Sequence, residues 1–112
     1  MKIEKRKNGN VTILDLKGKI LSGEGIEELR QTIDATIKQN EKQLVLNFAE
    51  VPYLDSTGLG EVVRSYTTLK KAGGTIKIMN LTNKVQDLLS VTKLITVFET
   101  FENENAAVKS FK

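Results

Sequence analysis

The 112 residues, 39% of them hydrophobic and 28% charged, hold enough apolar material for one compact core and read as neither a disordered tail nor a membrane protein. Seventeen basic residues against fourteen acidic ones leave a net charge of +3 with the two signs interleaved, so charge alone singles out no partner. The absence of Cys, His and Trp removes disulfides, thiolate and imidazole metal sites, and every catalytic triad that uses imidazole as its base.

Met1-Lys2-Ile3-Glu4-Lys5 has no apolar stretch behind it to serve as a signal peptide. No run approaches the roughly 20 apolar residues that span a bilayer. A cytoplasmic protein without a membrane partner is expected. Two extended segments, Lys2 to Lys7 and Val11 to Lys17, flank Asn8-Gly9-Asn10, residues that tolerate positive φ, and so read as a β-hairpin. The imperfect alternation of Val11 to Leu16 suits a strand buried on more than one side. Ile26, Leu29, Ile33 and Ile37 recur in steps of three and four and draw one stripe along a helix that starts near Glu24.

Gln43 to Phe48 is short and apolar in its middle, as a strand covered on both faces would be. A loop with the only proline, Pro52, leads to Asp55-Ser56-Thr57-Gly58. Leu59, Val62, Tyr66 and Leu69 then return to helical spacing until Gly73-Gly74. Thr75 to Asn80 reads as the next strand. Thr82 or Asn83 can cap a third helix carrying Val85, Leu88 and Leu89, Val97 to Phe101 offers a final strand, and Ala106 to Phe111 a short closing helix.

A hairpin followed by repeats of helix and strand predicts an α/β fold, one domain over 1–112. Its sheet is mixed, an N-terminal antiparallel hairpin followed by parallel strands. The crossover helices lie on one face, as a single helical layer.

Function in such sheets gathers at the carboxyl ends of the parallel strands, which groups the loops Leu21 to Gly25, Ala49 to Thr57 and Leu81 to Asn83. The middle loop is the richest. Asp55-Ser56-Thr57-Gly58-Leu59-Gly60 puts a carboxylate and two hydroxyls at a helix start, then two glycines that let another surface approach the backbone. Asp, Ser and Thr are also the ordinary N-cap residues, so on the residues alone a purely structural cap stands beside a functional reading. A nucleophilic Ser56 has neither imidazole nor a lysine in its loop to act as base, so the chain is expected not to be an enzyme. Gly23-Glu24-Gly25 opens a helix after a strand but fails as a dinucleotide turn: Glu28 occupies the third glycine position, and Glu24 and Glu27 would repel a pyrophosphate. No cofactor and no metal are expected. Lys2, Lys5, Lys7, Lys70 and Lys71 read as a solvated charged face, so direct nucleic-acid binding is not expected either.

Leu54-Asp55-Ser56-Thr57-Gly58-Leu59-Gly60 resembles the signature of the STAS domain family, specifically the bacterial anti-sigma-factor antagonists. The likeness continues in Leu16-Lys17-Gly18-Lys19-Ile20, Leu44-Val45-Leu46-Asn47-Phe48, Lys71-Ala72-Gly73-Gly74 and Thr92-Lys93-Leu94 with Val97-Phe98, and so covers nearly the whole chain. The resemblance implies a switch protein. Its unphosphorylated form binds an anti-sigma factor that is also a serine kinase and frees the sigma factor; phosphorylation of Ser56 switches it off, and a protein phosphatase restores it. Asp55 would belong to the same recognition loop, and Lys19-Ile20-Leu21-Ser22 departs from antagonists that carry an acidic residue after the second-strand glycine.

The partner-binding residues expected are Asp55, Ser56, Thr57, Gly58, Gly60 and Arg64. Ser56, Gly60, Arg64, Thr67 and Lys71 share one stripe of the second helix, away from the apolar one, where Arg64 and Lys71 could equally well only solvate the helix. A phosphate on Ser56 could accept hydrogen bonds from free N–H groups of Gly58 to Gly60 while crowding Asp55, and should act by local charge and bulk. The competing class is a scaffold or small-ligand-sensing module of STAS type without a phosphoswitch.

Overall fold

Gly9, at φ 63°, turns the chain between β1 (Lys2–Asn8) and β2 (Val11–Lys17), which pair antiparallel with Asn8 opposite Val11 and Lys2 opposite Lys17. The structure, a computed structural model, describes residues 1–112 except the side chain of Glu24. Three crossovers follow. They run from β2 through α1 (Glu24–Lys38) to β3 (Gln43–Glu50), through α2 (Ser56–Lys71) to β4 (Thr75–Met79), and through α3 (Asn83–Val91) to β5 (Thr100–Phe101). Strands β2 to β5 are parallel and lie in sequential order, so right-handed crossovers keep α1, α2 and α3 on one face, as the sequence predicts.

Side-chain alternation divides the core in two. Leu14, Leu16, Leu44, Leu46, Phe48, Ile76 and Ile78 face Leu29, Ile33, Val62, Leu69, Val85 and Leu89 of the three crossover helices. The opposite face carries Ile13, Val45 and Met79, each fully buried. What buries them is α4 (Glu104–Lys109), which brings Ala107 and Val108, with Phe101 and Phe111 beside it. The single helical layer read from the sequence is therefore corrected. Strands apolar on both sides need cover on both, and the closing helix crosses to the second face to supply it.

Lys77 fixes that helix. Its side chain is 8% exposed, and its ammonium donates to the Ser110 carbonyl at 3.1 Å and to the Ser110 hydroxyl at 2.9 Å, pairs with Glu99 at 3.2 Å and stands 4.4 Å from the centre of the Phe111 ring.

The last strand is shorter than its apolar content predicts. Lys93 takes a left-handed backbone at φ 63°, Leu94–Thr96 form one turn of 3₁₀ helix, and only Thr100–Phe101 join the sheet. Phe98 instead points into the core, 5.3 Å from the Tyr66 ring in an edge-on arrangement. α4 begins before Ala106 because Asn103 caps it, its carboxamide oxygen accepting from the Ala106 N–H at 2.9 Å. Among the described residues no helix is long and apolar enough to cross a membrane.

Candidate functional site

The end of β2 and the exit from β3 run side by side beyond the regular sheet. The Ile20 N–H donates to the Tyr53 carbonyl at 3.1 Å and the Asp55 N–H to the Ile20 carbonyl at 3.2 Å, making an isolated parallel bridge between Ile20 and Leu54. Both of these residues are buried in the core. Their neighbours in extended chain point the other way, which leaves Leu21 38% and Tyr53 45% exposed on the outer surface.

Asp55 is the N-cap of α2. It has extended backbone, φ −88° and ψ −178°, and its Oδ1 accepts from the Gly58 N–H at 2.7 Å. Its Oδ2 accepts from the Ser22 N–H at 3.1 Å, so one carboxylate joins the β3–α2 junction to the β2–α1 loop. The Gly58 and Ser22 amides hold the Asp55 carboxyl below its ordinary range. With Asp55 in the cap position, Ser56 and Thr57 are free of that duty, and both are exposed.

The two glycines part company. Gly58 is buried against the Ile20 carbonyl, where a side chain has no room, whereas Gly60 is exposed with open space around it. The close approach that Gly58 permits is to the chain's own backbone. The expectation of free N–H donors from Gly58 to Gly60 is corrected as well, because Asp55 takes the Gly58 N–H with its side chain and the Leu59 N–H with its carbonyl at 2.8 Å.

Arg64 lies two turns along α2 and is already engaged. Its Nε donates to Glu61 Oε2 at 2.7 Å and its Nη2 to Asp34 at 3.5 Å, while Arg30 Nη2 holds Glu61 Oε1 at 3.0 Å. The Glu61 side chain is only 2% exposed, so two arginines from α1 and α2 enclose a buried carboxylate between the helices. Arg64 thus neither merely solvates the helix nor stands free.

Of the third loop, Thr82 donates its hydroxyl to the Val51 carbonyl at 2.8 Å and so ties the β4–α3 connection to the β3–α2 loop. Beside it an open cleft of about 720 Å³ is lined by Asn80, Asn83, Gln86, Phe101 and Glu102 among others.

The structure gathers Asp55, Ser56, Thr57, Gly58 and Gly60 into the first turns of α2, and places Arg64 further along. Sequence reasoning missed Leu21 and Tyr53. Their signal was present: each is adjacent to an apolar residue, Ile20 or Leu54, that an extended segment turns inward. The Glu61 clamp left no comparable mark, because its partner Arg30 lies on another helix.

The sequence profile of the STAS domain family matches residues 2–107. Among curated relatives, the anti-sigma F factor antagonist of Paenibacillus polymyxa is 25% identical over 105 residues, covering 93% of this chain and 89% of that one. The anti-sigma-B factor antagonist of Bacillus subtilis is 33% identical over 60 residues, 54% of this chain and 55% of that one. Among solved structures, an anti-sigma factor antagonist from Mycobacterium paratuberculosis shares the fold with a TM-score of 0.83 at 20% identity, covering 97% of this chain and 92% of that one. The phosphorylated form of the Bacillus cell fate determinant SpoIIAA does so with a TM-score of 0.76 at 18% identity, covering 99% and 100%.

Proposed function

The chain belongs to the STAS domain family, and from that premise we propose that it is an anti-sigma factor antagonist switched by phosphorylation of Ser56. In this reading the unphosphorylated protein binds an anti-sigma factor with serine kinase activity and releases the sigma factor. The kinase transfers the γ-phosphoryl group of ATP to the Ser56 oxygen, ADP leaves and the hydroxyl proton is lost; a protein phosphatase reverses the change by hydrolysis. The chain itself turns nothing over, works in the cytoplasm, and touches neither nucleic acid nor membrane.

The observation that carries the reading is the setting of Ser56. The residue stands exposed at a helix start whose cap is supplied by Asp55, and the two loops that meet there also expose the apolar side chains of Leu21 and Tyr53. A surface of this kind can bury against a partner when Ser56 carries a hydroxyl. A phosphate adds about 1.5 to 2 negative charges there, and desolvating them without a matching cation costs several kcal/mol, a hundredfold or more in affinity. Arg64, the nearer of the two cations on the same helix stripe, is occupied by Glu61 and Asp34. Ser56, Thr57 and Gly60 then form the contact surface with Leu21 and Tyr53, while Asp55 and Gly58 set its shape and Arg64 braces the helix behind it.

The test is incubation with the cognate kinase and ATP, followed by intact mass, phosphopeptide mapping and partner binding. One phosphate on Ser56, with loss of binding, is the expected result. Ser56→Ala should fold normally, take no phosphate and bind constitutively. No phosphate gained, or phosphate on Thr57 alone, overturns the assignment. A small-ligand-sensing module is the second reading, favoured by the polar cleft beside the β4–α3 loop, and it requires no phosphate at all.

A further inference from the structure

We propose that Asp55 relays the state of Ser56 to the β2–α1 loop, so that a phosphate on Ser56 frees Ser22 and displaces Leu21 from the contact surface. The inference rests on the phosphoswitch reading and adds a moving part to it. Asp55 divides its carboxylate between two elements far apart in sequence: Oδ1 accepts from the Gly58 N–H at 2.7 Å and Oδ2 from the Ser22 N–H at 3.1 Å. Residues 21–23 are all exposed. Among the described contacts, the bond to Asp55 is the one hydrogen bond that ties Leu21 and Ser22 to the rest of the fold.

Ser56 is the next residue after this carboxylate and the first residue of α2. A phosphate there brings about 1.5 to 2 negative charges beside Asp55 and competes for the same amides at the helix start. One carboxylate oxygen serves each loop, Oδ1 the start of α2 and Oδ2 the β2–α1 loop. Of the two bonds, the longer one, to Ser22, crosses between loops and is the one that separation of the charges breaks. The bond to Gly58 lies within a single helical turn and survives or passes to the phosphate. Leu21 precedes Ser22 and is itself exposed, so its side chain is no longer held in place when that anchor goes. The switch then withdraws apolar contact as well as adding charge, while the sheet stays as it is.

The experiment uses full-length isotope-labelled protein with phosphoserine installed at position 56 during translation, so no kinase is needed. The readout is the Ser22 amide, by chemical shift and hydrogen exchange. Expected is a shift of Ser22 and about tenfold or greater loss of its protection on phosphorylation, with the amides of β2, β3 and β4 unchanged. Asp55→Ser provides the second arm. Serine still caps α2 but is too short to reach Ser22, so this variant should free the Ser22 amide without any phosphate and keep its fold. Protection of Ser22 that persists with phosphate on Ser56, or a Ser22 amide already unprotected in the unmodified protein, overturns the relay. Failure of the kinase to act on Ser56 would overturn the phosphoswitch but leave this measurement readable.

Discussion

A Cβ added to Gly58 would stand 2.1 Å from the carbonyl oxygen of Ile20, a distance no folded backbone accepts. That contact is where the helix bearing Ser56 leans on the chain that leaves β2. Gly58→Ala must push the two segments apart and should destabilise the fold by about 1–3 kcal/mol or more. Gly60, only two residues on, has nothing within 4 Å of the same position. Gly60→Ala should therefore keep or raise stability, by up to about 1 kcal/mol, since alanine favours a helix over glycine. Paired thermal melts decide. Equal effects of the two substitutions would contradict the distinct roles assigned to these glycines.

The clamp around Glu61 makes a separate claim about the α1–α2 contact. Arg30 and Arg64 both bond a nearly fully buried carboxylate, whereas the arginines themselves remain partly in water. Removing one arginine strands part of a buried charge. Arg30→Ala should cost about 1–3 kcal/mol, the range for hydrogen bonds to charged groups. Adding Glu61→Gln to Arg30→Ala should recover part of the loss, because the neutral amide no longer needs the cation. A double-mutant cycle in urea measures this coupling, and additive effects would show that the two side chains act independently.

What the sequence could disclose depended on whether a cause was local. The hairpin at Asn8-Gly9-Asn10, the apolar stripe of Ile26 to Ile37 and the helix start after Asp55 each rest on residues within one turn or one period, and the structure has all three. The position of α4 is different. Ala107 and Phe111 say only that some surface must be covered, and the choice of face depends on Val45 and Met79 being buried from below, a three-dimensional fact. The final strand failed for a similar reason. Val97 and Phe98 have strand-forming side chains, but Phe98 gains more by packing on Tyr66 than by extending β5. At the site, the Asp-Ser-Thr run fitted several caps, and only the Gly58 and Ser22 contacts identify Asp55 as the one.

Acid should loosen what packs on the two faces of the hairpin first. Arg6 donates to Asp15 at 2.7 Å and to Glu104 of α4 at 2.6 Å, and its guanidinium lowers the pKa of both carboxyls. Glu41, just beyond α1, is pushed up by burial, but hydrogen bonds from Lys5, Thr12 and Lys7 outweigh this and bring it from 4.5 to about 2. All three pKa values are depressed in the folded protein. Their stabilisation is thus complete above the unfolded values, near 3.8 for Asp and 4.5 for Glu, and is lost as pH falls through the folded ones. The melting temperature should stay level from pH 7 to about 5 and drop most steeply between about 4.5 and 2. Glu41→Gln should lower the melting temperature at pH 7 and shrink the difference between pH 7 and pH 2. A melting temperature that instead rises on acidification would contradict the assigned pairs.

The last prediction separates the surface around Ser56 from the machinery that holds the fold. Tyr53 is 45% exposed and stands outside the core, so Tyr53→Ala should change stability by no more than about 0.5 kcal/mol. If the proposed partner docks here, this exposed aromatic in the loop that leads to Ser56 is the natural anchor. Its removal should cost about 2 kcal/mol or more of binding, roughly thirtyfold in affinity. Leu21→Ala should act in the same direction but less, having less area to bury. Lys77 supplies the opposite case, being buried on the far face of the sheet with its ammonium on Ser110. Lys77→Ala strips α4 of its tie and should lower the melting temperature while leaving affinity for the anti-sigma factor unchanged. Calorimetric titration of the three variants against that partner, with a melt of each, reads both quantities. Weakened binding by Lys77→Ala with none by Tyr53→Ala would place the interface on the α4 face and remove Ser56 from it.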